Sequence, residues 1–183
     1  MHLYLIRHPR PIVAANVCYG RSDLKVAEET LTSVHDALLP LLPTRARIFS
    51  SPLSRCTVLS NRLAEALDCA PVYDERLREM HFGDWEMQPW DAIPRTDIDA
   101  WTSDLIGYRP GGGETVLEVA QRVRAFRDDL AGLDIEHAIV ICHAGTIRLL
   151  AACEHALSVP EMALYAAQKP HRIGYGELLI VDC

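Results

Sequence analysis

Lysine is almost absent from this sequence: Lys25 and Lys169 are its only two, against sixteen arginines. Cysteine is sparse as well. Cys18, Cys56, Cys69, Cys142, Cys153 and Cys183 form no C-x-x-C pair and no metal-type spacing, and six in 183 residues exclude a disulfide scaffold. No apolar run approaches membrane-spanning length, and the first, Leu3–Ile6, is too short for a signal peptide and is ended by Arg7. Internal repeats, low-complexity linkers and the H-E-x-x-H spacing of a zinc site are also missing. These absences predict a soluble, cytoplasmic protein with reduced cysteines, no metal, no cofactor and no membrane contact. A formal net charge of −7 argues against a general nucleic-acid partner.

What is present is a chain with 49% hydrophobic residues, enough to bury a sizeable core. A length of 183 residues fits a single domain spanning 1–183, burying roughly 70% of the surface that its unfolded chain would expose. The charge is unevenly spread. Residues 1–62 hold eight Lys/Arg against four Asp/Glu, whereas residues 63–183 hold ten against twenty-one. Arginine presents a planar fork of donors that matches phosphate or carboxylate oxygens. An Arg-rich front end on an acidic chain therefore suggests a local anion pocket. Arginine usage driven by genome composition would explain the lysine scarcity but not the asymmetry.

The apolar pattern alternates between short runs and helical stripes. Leu3–Ile6 reads as a strand buried on both faces, stopped by Arg7-His8-Pro9-Arg10-Pro11. A helical pattern runs from about Ala27 to Leu42, and Arg47–Phe49 reads as a second strand. Ser51-Pro52 reads as the start of a helix, with Ser51 as its cap and Cys56, Leu59, Leu63 and Leu67 on one face. Pro71–Tyr73 reads as a short strand, and Leu77 to about Pro110 as loops and short helices carrying Trp85, Trp90 and Trp101. Thr115 and Glu118 form a capping box before a stripe of Val116, Val119, Val123, Phe126 and Leu130. Ala138–Cys142 is another buried strand, a helix follows to about Cys153, and Ile173–Val181 supplies one or two late strands. Strands alternating with helices predict an α/β fold of three layers, a mostly parallel sheet with helices on both faces.

In such a sheet, ligands bind outside the carboxyl ends of the strands. Two strands end directly in histidine, one at Arg7-His8 and the other at His143. Parallel neighbours would bring both imidazoles to one edge. Arg55 lies near the start of a helix, where unpaired N–H groups favour an anion. Singly, each of these reads as a loop or surface residue; together they point to a phosphate pocket.

These residues also carry a family resemblance. Leu5-Ile6-Arg7-His8 resembles the opening motif of the histidine phosphatase superfamily, the phosphoglycerate-mutase-like proteins. Ser50–Arg55 is similar to its second motif, Leu77–Glu86 to its third, Gly112–Thr115 to a fourth and Cys142–Arg148 to the last. The blocks occur in family order over nearly the whole chain. The resemblance implies a phosphoglycerate mutase-like fold and a phosphomonoester hydrolase acting on a small phosphorylated metabolite. His8 would be the nucleophile, forming a phosphohistidine. Arg7, Arg55 and His143 would hold the phosphoryl oxygens, and Glu79 would protonate the leaving oxygen. Residue types alone would leave Glu79 as a surface acid.

Pro9 departs from the family by replacing the glycine after the nucleophile, which removes a backbone donor; Arg10 is the candidate to compensate. With Cys18–Leu24, the His-Pro variant looks most like short α-ribazole phosphatase-type members of cobalamin biosynthesis. His81, where that group often has an acid, and the missing Gly-x-x-Gln element depart from it. Tyr19, Arg21 and Glu86 are further candidates for contact with substrate. Core and rim packing is the first expectation for the tryptophans, and stacking on a planar base the second. The oligomeric state is left open between monomer and homodimer.

Three rival readings stand beside this one. A mutase of the same family would return the phosphoryl group to its substrate, and a chain ending at Cys183 without a covering tail favours hydrolysis instead. Cys142 through Arg148 also fits C-x-x-G-x-x-R, the phosphate loop of cysteine-dependent phosphatases. The third rival is a phospholigand-binding module without catalysis, against which both histidines, both arginines and Glu79 argue.

Overall fold

The computed structural model describes residues 1–169 and 173–182. Cys183 lies outside them; the other five cysteines are free thiols. Strands β1 (His2–Arg7), β2 (Arg47–Ser50), β3 (Val72–Tyr73), β4 (His137–Cys142) and β5 (Leu178–Asp182) form one sheet in the order β3-β2-β4-β1-β5. All neighbours are parallel except β5, which pairs antiparallel with β1 at one edge. The late segment therefore supplies one strand among the described residues.

Alternation along the central strands builds two cores. Leu3, Leu5, Ala138, Val140 and Cys142 face helices α4 (Val116–Ala131), α5 (Ala144–Ala152) and α6 (Val159–Gln168). Ile6, Ile48, Ile139 and Ile141 face α1 (Glu28–Leu38) and α2 (Ser54–Ala66). β1 and β4 thus read as continuous apolar runs because both of their faces are covered. The architecture is the expected three-layer α/β fold with a mostly parallel sheet. No helix among the described residues is long and apolar enough to cross a membrane.

Several boundaries differ from the sequence expectation. α1 stops at Leu38 and a 3-10 turn, Leu39–Leu41, replaces its last turn, because Pro40 has no N–H to continue the α-helical ladder. α2 begins at Ser54, so Ser51 is not its cap. Asp23, from a segment thirty-one residues upstream, takes the Ser54 N–H at 2.7 Å and its hydroxyl at 2.6 Å. The Thr115/Glu118 capping box forms as expected. A second box, Ser158/Glu161, opens α6, a helix unassigned from the pattern although its cap residues stand in the sequence. The tryptophan-rich stretch holds α3 (Arg95–Ser103) and several 3-10 turns.

Candidate active site

Register places the site. Arg7 pairs with Cys142 across β1 and β4, and Ser50 pairs with Ile141 across β2 and β4, so the three carboxyl ends are level. The next residues, His8, His143 and Ser51, leave the sheet side by side. The His8 N–H still donates to the Cys142 carbonyl at 3.0 Å, and the Ser51 N–H to that of Ile141 at 2.9 Å. The His8 and His143 rings lie edge to face, with centroids 5.0 Å apart.

His8 is buried, and its Nδ1 lies 2.8 Å from the Pro9 carbonyl. A carbonyl only accepts, so Nδ1 carries the ring proton and Nε2 keeps a free lone pair. Burial, followed by the Arg55 and Arg7 charges, holds the His8 pKa well below its ordinary value, against the opposing pull of the Pro9 carbonyl. His143 is held down in the same way, by burial first and then by Arg55 and His8. Its Nε2 lies 2.8 Å from Ser51 Oγ. With Ser51 donating there, the His143 proton sits on Nδ1, which has no partner among the described residues.

The two arginines flank this pair. Arg7 donates Nη1 to the Ile173 carbonyl at 2.7 Å and lays its guanidinium 3.8 Å from the centre of the Tyr175 ring. Arg55 is fully buried in the first turn of α2. Its Nη1 and Nη2 donate to the carbonyls of Ser22 and Gly20 at 2.7 and 2.6 Å, tying down the loop that carries Tyr19. Nε of both arginines is buried without a partner among the described residues. Unpaired buried donors are costly, so these two Nε–H groups and the His143 Nδ1–H are suited to an anionic partner.

A cavity of about 650 Å³ opens at this end of the sheet. Arg7, His8, Tyr19 and Glu79 line it, together with Tyr175, Trp90 and Trp101; Arg55 and His143 are fully buried next to His8. The Glu79 carboxylate accepts from the Met80 N–H at 3.0 Å and from the Gly145 N–H, at the start of α5, at 3.2 Å. Its backbone carbonyl is held by Arg122 at 3.2 Å and Arg21 at 3.3 Å, and both arginines bond to Glu114. Arg21 and Glu86 therefore stand one layer outside the cavity. Glu86 accepts from the Arg21 and Phe82 N–H groups and from the Ser22 hydroxyl. This clasp closes over Gly20, where a Cβ would come within 2.5 Å of the Met80 carbonyl. Arg10 is exposed and does not line the cavity, so it does not occupy the place of the donor lost at Pro9. His81 is exposed, with Nε2 4.0 Å from Glu86.

Trp85 is core, packed with Cys18 and Ile93. Trp90 and Trp101 are stacked, 6.3 Å apart and 11° from coplanar, and contribute to the cavity wall. Two residues went unread in the sequence. Ser51 orients His143, and Tyr175 sits against both Arg7 and His8, with its ring 5.6 Å from the imidazole. The sequence signal for Tyr175 is its place between Gly174 and Gly176, an aromatic on the turn before β5.

The cysteine alternative fares poorly. Cys142 is fully buried at the end of β4, and burial drives its pKa well above the ordinary value, so the thiolate nucleophile is disfavoured. Arg148 donates to the carbonyls of Ala166 and Lys169. Among the described residues, no group of three or more His, Cys, Asp or Glu could hold a metal ion.

A family model described as the histidine phosphatase superfamily (branch 1) matches residues 3–172. The chain is 28% identical over 173 residues to the adenosylcobalamin/alpha-ribazole phosphatase of Salmonella typhimurium, covering 90% of this chain and 84% of that one. It is 28% identical over 164 residues to a probable phosphoglycerate mutase GpmB of Photorhabdus laumondii, covering 80% and 74%. The alpha-ribazole phosphatase of Shigella flexneri, at 23% identity, shares the fold with a TM-score of 0.83 over 100% of this chain and 90% of that one. The chain belongs to the histidine phosphatase superfamily, branch 1, and is a phosphatase with a histidine nucleophile.

Proposed function

We propose that His8 is that nucleophile and that one catalytic domain hydrolyses a small phosphomonoester through a phosphohistidine. The observation that carries this reading is the bond from His8 Nδ1 to the Pro9 carbonyl, which leaves the Nε2 lone pair free on a residue that lines the cavity. Nε2 attacks phosphorus as the bond to the leaving oxygen breaks, and Glu79 gives that oxygen its proton. Water then attacks the phosphohistidine and returns a proton to Glu79; orthophosphate leaves and His8 is restored. Arg7, Arg55 and the His143 Nδ1–H stabilise the charge spread over the phosphoryl oxygens. No step calls for a metal or a cofactor.

For the substrate, the stacked Trp90 and Trp101 with Phe82 and Leu105 form an apolar wall suited to a flat base. Together with the name of the Salmonella relative, this wall supports α-ribazole 5′-phosphate as the substrate. Phosphate release measured across α-ribazole 5′-phosphate, phosphosugars, phosphoserine, 3-phosphoglycerate and phosphotyrosine tests the assignment. Preference for the ribazole ester supports it and preference for phosphotyrosine overturns it. Isomerisation of 3-phosphoglycerate outpacing phosphate release would make the chain a mutase instead.

A further inference from the structure

Pro9 has no N–H to offer beside the nucleophile, and Arg10 is exposed away from the cavity. Both arginines spend terminal nitrogens on backbone carbonyls. Two phenols line the cavity beside the nucleophile instead. Tyr175 packs its ring on Arg7 at 3.8 Å and against His8 at 5.6 Å. Tyr19 lies beneath Arg55, whose guanidinium carbon is 5.2 Å from the ring centre. Their hydroxyls meet at 2.8 Å, joining Arg7, Tyr175, Tyr19 and Arg55 in one arc of side chains beside His8.

Resting on the reading of His8 as nucleophile, we propose that the Tyr19–Tyr175 hydroxyl pair is a phosphoryl-binding element, donating to the transferring group in place of the missing backbone N–H. Of the two phenolic hydrogens, one closes the bond between the hydroxyls and the other stays free to donate. Burial, followed by the Tyr175 contact, pushes the Tyr19 pKa upward, so this phenol keeps its proton. The residue after Tyr175 anchors its turn. The Gly176 N–H bonds to the carbonyls of Arg7 (3.1 Å) and His8 (3.3 Å), which couples this turn to the nucleophile.

Because either phenol alone still offers a free hydrogen, Tyr19→Phe and Tyr175→Phe should each lose only a few-fold in kcat/KM. The double variant, keeping both rings and both arginine contacts, should lose about 10- to 100-fold, the worth of one hydrogen bond to a charged group. The measurement is turnover of a generic aryl phosphate together with inhibition by orthovanadate, which mimics the transferring group. A parallel loss of turnover and vanadate affinity in the double variant supports the assignment. Turnover within threefold of the parent overturns it, as does a loss of turnover with vanadate affinity unchanged. His8→Ala is the separate control: turnover surviving there would remove the underlying reading instead.

Discussion

Gly145 donates its backbone N–H to Glu79 Oε2 at 3.2 Å, and a Cβ on Gly145 would stand 2.5 Å from Glu79 Oε1. The glycine at the start of α5 is thus what lets the carboxylate come down onto the end of the helix. Gly145→Ala adds a good helix former, worth about 1 kcal/mol in propensity, so the fold should survive. The flexible end of Glu79 must move aside, and misplacing a proton donor by about 1 Å costs on the order of 100-fold in rate. We expect an unchanged or raised melting temperature with kcat down by roughly that factor. Parent-like turnover in Gly145→Ala would show that the contact is not needed.

The two buried imidazoles give stability a defined pH dependence. Both have folded-state pKa values below the unfolded value of about 6.5, so their contribution is fully present above that pH. As the pH falls through 6.5, the unfolded chain binds protons that the folded chain refuses, and stability declines until the folded rings protonate. The slope is about 1.4 kcal/mol per pH unit for each ring. Urea denaturation between pH 8 and 5 should show a shallower decline in His143→Asn than in the parent. Equal slopes would mean that His143 is not buried in its neutral form.

Cys142 and His8 separate the two phosphatase chemistries. Cys142→Ala removes a small buried side chain and should cost on the order of 1 kcal/mol, leaving kcat within a few-fold. His8→Ala should lower turnover of an aryl phosphate at least a thousandfold while the fold persists. The opposite pattern would identify the thiol as nucleophile.

Arg122 holds the Glu79 segment from behind, donating to the carbonyls of Arg76, Arg78 and Glu79 while bonded to Glu114. Removing it takes one donor from each of three carbonyls, although Thr146 still bonds that of Arg78 and Arg21 still bonds that of Glu79 and the Glu114 carboxylate, at about 1–3 kcal/mol. Arg122→Ala should therefore melt early. Arg122→Lys, which keeps the charge but not the fork, should fold and lose kcat with little change in KM. A rise in KM alone would place Arg122 in substrate binding rather than in positioning Glu79.

Part of this protein is written locally. The doubly buried strands β1 and β4, the stripe of α4 and the Thr115/Glu118 box depend on neighbours within a few residues. So do the histidines that close two of the strands. Given parallel pairing, the meeting of His8 and His143 follows from the strand ends alone, and the arginines beside them from the basic front segment.

Other features arise from contacts between distant segments, for which local sequence holds no signal. Asp23, rather than Ser51, closes the start of α2. Arg55 is buried holding the Gly20 loop, and Glu79 is held at the cavity wall through Gly145, Arg21 and Arg122. Tyr175 reaches Arg7 from the far end of the chain. The layers, the strand ends and the basic front segment can be read along the chain, because periodicity and charge are local quantities. Which acid, loop and phenol complete the site was decided by tertiary packing, because a hydrogen bond depends on proximity in space and not along the chain.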